Sequence, residues 1–183
     1  LYVIRWRRFK RALLIFNYCK KLNNGRKPNK NQRRLAAPSR RSQADAAAVY
    51  ENVLPQVHYE ATRQHISGLI AVCRGDTQAA ILAFESAASL EPDNAAHWLA
   101  LGRVQMQRED AWAALQAFEK ILSIQPDDLV ALIDSYDALL ALGDVREAQG
   151  RLDRMVELAP DDFRVLKRQR ESRCQTRLVS GEE

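Results

Sequence analysis

Between residues 61 and 162, small and large apolar positions come back every 34 residues. Ala80, Ala114 and Ala148 are each followed, four residues on, by Phe84, Phe118 or Leu152. Residues four apart share one face of a helix, where a small side chain lets two helices approach and a large one fills the gap beside it. The phrases SLEPDNAAHW, SIQPDDLVAL and ELAPDDFRVL carry Pro92, Pro126 and Pro160 at the same interval of 34. A proline stops the helix before it, and the Asp or Asn that follows can cap the next one. Midway between prolines stand Asp76, Asp110 and Asp144, two of them in RGD and LGD. There the Gly can take a positive φ and the Asp can open a second helix. Each unit therefore reads helix, tight turn, helix, proline stop. The units are 61–94, 95–128 and 129–162, and they predict six helices in three antiparallel pairs, broken near Gly75, Glu109 and Gly143 and at the three prolines. Trp98 and Phe118 are expected to be largely buried.

The flanks follow the same phase. In ADAAAVYENVL, Ala46 and Tyr50 stand where the second helix of a preceding unit would have its small and large residues. The stretch before it is too polar and Pro-broken to pack, so 44–60 is expected to be a lone second helix that seals the first repeat. Residues 163–183 begin like a fourth unit and then turn polar, as a cap on the last repeat must.

A repeat of this length with these residues resembles the tetratricopeptide repeat family. The second unit carries the resemblance best, through Trp98, Leu101, Gly102, Ala114, Phe118 and Pro126. The first has Gly68, Ala80, Phe84, Ala87 and Pro92, with Gln64 where Trp is usual; the third keeps Ala148 and Pro160 but has Tyr136 for the Gly. The resemblance implies an all-α, right-handed α-solenoid of three repeats with flanking helices, working as a non-catalytic interaction module: a scaffold, adaptor or chaperone-like protein. It also implies a groove lined by the first helix of each unit. Carried over, the groove positions are His65, Leu69 and Val72, then Leu99, Arg103 and Met106, then Ile133, Asp137 and Leu140. This would be a mainly apolar trough, with Arg103 and Asp137 orienting a protein or peptide partner. Family members that hold a peptide's terminal carboxylate do so with Lys, Asn and Arg. The corresponding places here are His65, Leu69, Ala100, Val130 and Asp134, which argues against that ligand.

Charge divides the chain in two. Of 28 Lys and Arg, 14 lie in residues 1–41, which hold no Asp or Glu; from residue 42 on, 14 basic face 23 acidic residues, a net of −9. A basic arm, 1–43, thus precedes an acidic body. In LYVIRWRRFKRALLIF, Tyr2, Trp6, Phe9, Leu13 and Phe16 form one helical stripe, with Arg5, Arg7, Arg8 and Arg11 largely off it. This predicts an amphipathic helix over 1–22 and a linker behind it; residues 20–43 are expected to lack regular structure and contacts with the body. Arg5, Trp6, Arg7, Arg8, Lys10 and Arg11 could meet an anionic membrane surface, nucleic acid or a protein. That arm is the basis of the alternative reading, a membrane- or nucleic-acid-associated protein; another alternative is the repeat region of a larger enzyme.

Little else carries chemistry. Cys19, Cys73 and Cys174 are far apart and read as free thiols in a reducing compartment. No apolar run reaches the roughly 18 residues of a spanning helix, so the expected location is cytoplasmic, or peripheral to a membrane. His58 and His65 could share a helix face but lack a carboxylate partner, and no phosphate loop, Cys pair or Ser/His/Asp arrangement is present. No enzyme activity, cofactor, metal or small-molecule substrate is expected.

Overall fold

A computed structural model describes residues 40–180, with side chains from 43 to 173. Its regular elements are α1 (Arg40–Val53), a short 3-10 turn (Leu54–Gln56), α2 (Glu60–Arg74), α3 (Thr77–Leu90), α4 (Ala95–Gln107), α5 (Ala111–Ile124), α6 (Leu129–Leu142), α7 (Val145–Leu158) and α8 (Phe163–Ser180). Among the described residues there is no strand. The described residues fall into two compact units that divide after Ala83, inside α3.

The turns explain why the helices come in pairs. After α2, Gly75 takes φ 78°, its N–H bonds to the Val72 carbonyl at 3.1 Å, and the Asp76 N–H reaches back to Ala71 at 2.9 Å. After α6, Gly143 takes φ 81° and repeats the pattern, with Asp144 N–H to Leu139 at 3.0 Å. This left-handed stop satisfies carbonyls that the helix end would otherwise leave open. The aspartates then start the next helix: Asp76, Asp110 and Asp144 each accept the N–H three residues on, at 3.0, 3.1 and 3.2 Å. At the proline joints the residue two after Pro does the capping, as Asn94, Asp128 and Asp162 accept from Ala96, Ala131 and Arg164. Asp93, Asp127 and Asp161 take no part in the caps and stay exposed.

In the first unit, α1 packs on α2 and buries Ala46, Ala47 and Tyr50, and Arg74 reaches Glu51 at 2.7 Å. Helix α1 starts at Arg40, so the expectation of irregular structure through residue 43 fails for its last four residues. In the repeat phase Arg41 stands where Gly75, Glu109 and Gly143 make their turns. With neither a left-handed residue nor an Asp beside it, nothing interrupts the helix there. The rest of the arm, 1–39, lies outside the described residues.

In the second unit, α4 packs on α5, α5 on α6, α6 on α7 and α7 on α8, while α4 and α6 also touch directly. The core runs through Phe118, Ile121, Leu132, Leu139, Leu152 and Met155, and Val165 of α8 closes it. Beyond Val165, α8 is polar on the side that α6 buries: Gln169, Arg170 and Arg173 stand where α6 has Ser135, Tyr136 and Leu139. Trp98 departs from expectation. It is only partly buried against the core, because its indole N–H turns back to the Pro92 carbonyl at 2.7 Å. A buried indole needs such a partner, and the joint supplies it.

Candidate binding surface

The nine groove residues lie on three first helices of repeats. His65, Leu69 and Val72 belong to α2 and the first unit; the other six belong to α4 and α6 in the second. Their exposures differ from those of an open trough. Leu69 and Ile133 are buried, at 8% and 5% exposed. An aliphatic side chain at the border of a helix stripe gains more by turning inward than by facing water. His65, Val72, Leu99, Met106 and Leu140 are partly exposed, and the last three pack their inner sides on the core of the second unit.

The two charges are not free to meet a ligand. Arg103 of α4 donates through Nε to Asp134 Oδ2 of α6 at 2.5 Å. Asp137 of α6 accepts from Arg168 of α8, through Nε at 2.9 Å and also through Nη2. Both pairs join residues 31 apart, three short of the repeat, so the ninth position of one unit meets the sixth of the next. Their polarity inverts, with both acids on α6 between an arginine on either side. Arg103, Asp134 and Arg168 keep only 22%, 15% and 13% of their side-chain surface exposed. Sequence reasoning placed Arg103, Asp134 and Asp137 on this face but missed Arg168, because it read each unit alone. Opposite charges at a spacing of 31 were the available signal.

The surface is thus a polar strap with aliphatic groups beside it. Among the described residues no group of three or more His, Cys, Asp and Glu could hold a metal ion, and no helix is long and apolar enough to cross a membrane. His97 is buried, with Nε2 3.0 Å from Glu91 Oε2. Arg5, Trp6, Arg7, Arg8, Lys10 and Arg11 lie outside the described residues.

Residues 87–170 match the family model of the cytochrome c-type biogenesis protein H tetratricopeptide-repeat domain. With the turns, joints and repeat spacing described above, this decides the family. Residues 87–170 are a tetratricopeptide-repeat domain. Solved structures agree on the fold of this repeat protein. MamA aligns with a TM-score of 0.56 at 24% identity, over 64% of this chain and 64% of its own. YrrB, described as a repeat protein with an unusual peptide-binding site, aligns at 0.60 and 15% identity, over 71% and 67%. The first repeat domain of Spaghetti (RPAP3), solved with the HSP90 peptide SRMEEVD, aligns at 0.57 and 17%, over 66% and 96%. At such identities the likeness is one of fold, and the repeat protein spans under two thirds of the MamA chain. No curated protein matches it.

Proposed function

We propose that this chain is a non-catalytic protein-interaction module, and that its second unit takes an apolar segment of a partner protein along α4 and α6. One observation carries the reading. Leu99, Met106 and Leu140 stay partly exposed beside charges that are already paired with one another. Aliphatic groups left open on a folded surface favour an apolar ligand. Each contributes roughly 1.5–3 kcal/mol when its burial is completed from full exposure, and less here because part is already covered. Paired charges add no net field, so affinity would come from the aliphatic contacts and depend weakly on salt. The peptide bound by the Spaghetti domain is a poor candidate, since Arg103, which could receive its carboxylates, is already bonded to Asp134.

A display library of random peptides on the full chain tests this. Selected peptides should be apolar, should bind about equally at low and high salt, and should not include SRMEEVD. Met106→Glu should remove their binding while the unfolding midpoint stays within a few degrees. Retained binding in folded Met106→Glu protein would mean that the partner uses another surface.

A further inference from the structure

Where the second unit ends, α7 and α8 form a face that no further helix covers among the described residues. The repeat before it shows how such a face is held when a helix does follow. Two arginines of α7 reach acids of the preceding repeat: Arg151 donates to Glu119, and Arg154 to Asp127 at 2.6 Å. Both acids recur 34 residues on, as Asp153 and Asp161. Neither of these forms an ion pair among the described residues. Asp153 accepts from the Gln149 side-chain amide at 2.8 Å, a neutral donor that leaves its charge uncompensated.

The same face carries arginines without partners. On α8, Arg164 and Arg168 are held by Asp162 and Asp137. Arg170 and Arg173 are exposed and form no ion pair among the described residues. They stand three apart, as Arg151 and Arg154 do. Arg170 occupies the place that Gly102 has on α4, where the following helix brings up Phe118, so it lies on the uncovered side. A cleft of about 630 Å³ between α7 and α8 puts Asp153, Val156 and Arg173 on one surface. Beside it Leu166 is 43% exposed, whereas its counterpart Leu132 is buried. Uncompensated acids on the α7 side and uncompensated arginines on α8 make the face complementary to itself. A two-fold axis lets such a face meet its own copy, with every pair formed twice. We propose that this end face binds the same face of a second copy of the chain, Arg170 and Arg173 of each copy meeting Asp153 and Asp161 of the other around Val156 and Leu166. A purely basic helix fits less well, because Arg170 and Arg173 would repel it. The apolar part is small, so the pairing belongs with weak contacts steered by charge.

Sedimentation velocity on the full chain, over roughly 1 μM to 1 mM, tests the proposal. The dimer fraction should rise with concentration and fall with added salt. Arg170→Glu with Arg173→Glu should weaken association at least about tenfold, and so should Asp153→Arg with Asp161→Arg, since each pair leaves like charges facing one another. All four side chains are exposed, so helical content should not change. Mixing the two variants should restore a dimer, because one face is then wholly acidic and the other wholly basic. That recovery separates a lost contact from a lost fold. A wild-type chain that stays monomeric throughout would overturn the proposal. So would a dimer that survives either pair of substitutions, which would place the contact on another surface, or a mixture no more associated than its two components.

Discussion

A methyl group on Gly102 would lie 2.5 Å from Cε1 of Phe118 and 2.8 Å from its Cζ. The ring cannot give way, because Phe118 is fully buried and held on its other sides by the core. Gly102→Ala should therefore destabilise the protein by about 1–3 kcal/mol, as overpacking does, against a gain of roughly 1 kcal/mol in helix propensity. Denaturant unfolding would show the net loss, and an unchanged midpoint would mean that the ring moves freely. The third repeat solves the same contact in reverse, with Tyr136 and Leu152 for Gly102 and Phe118. Burial pushes the Tyr136 hydroxyl above its ordinary pKa, and neighbouring Asp137 adds to this while Arg168 opposes it. At the last joint, the Arg164 side chain and backbone N–H hold the Asp162 carboxyl at about 2, down from 3.8. A carboxyl depressed on folding stabilises above its unfolded value and loses that contribution as pH falls through the folded one. The stability difference between wild type and Asp162→Asn should thus be constant above about pH 5 and shrink steadily from there towards pH 2. A difference that persists at pH 2 would deny the charged cap its role.

Elements show how much of the fold could be read beforehand. Helix breaks were legible because each is written locally: Gly75 and Gly143 at positive φ, an Asp cap beside each, a proline at every joint. The second repeat makes the same turn without glycine. Glu109 takes φ 64°, its N–H bonds to Met106 at 3.1 Å, and Asp110 N–H bonds to Gln105 at 3.0 Å. Its strain could not be read from the letters, only inferred from its place in the period. An L-residue in this region sits roughly 1–2 kcal/mol above glycine, partly offset by the freedom that glycine loses on folding. Glu109→Gly should therefore stabilise the protein by about 0.5–1 kcal/mol, raising the unfolding midpoint without changing helix content. A fall in midpoint would show that Glu109 contributes contacts of its own. The early start of α1 was harder to foresee, because it follows from a missing turn signal at Arg41 rather than from a positive one.

At the scale of the whole repeat array, what could not be read was how one unit holds the next on its open face. The 34-residue period aligns like positions, whereas Arg103 with Asp134 and Asp137 with Arg168 join unlike ones, 31 apart. The groove positions were legible as a set of residues, but their state was not: two turned into the core and two were claimed by neighbours. These straps tie α4 to α6 and α6 to α8 across the surface proposed to take a partner. A ligand there gains by covering Leu99, Met106 and Leu140 and loses if it must separate the pairs, since each leaves a poorly hydrated charge behind. The coupling can be measured directly. Arg103→Asp puts a carboxylate against Asp134 and should cost about 1.5–3 kcal/mol of stability, the range for hydrogen bonds to charged groups. Adding Asp134→Arg restores a pair of opposite sign and should recover part of the loss, with a coupling of about 0.5–3 kcal/mol. Recovery should stay incomplete, because Arg164 also feels the charge of Asp134 and would then face a like charge. If the double substitution instead loses the sum of the two single losses, Arg103 and Asp134 do not act as a pair, and the face between α4 and α6 is more open to a charged partner than the geometry implies.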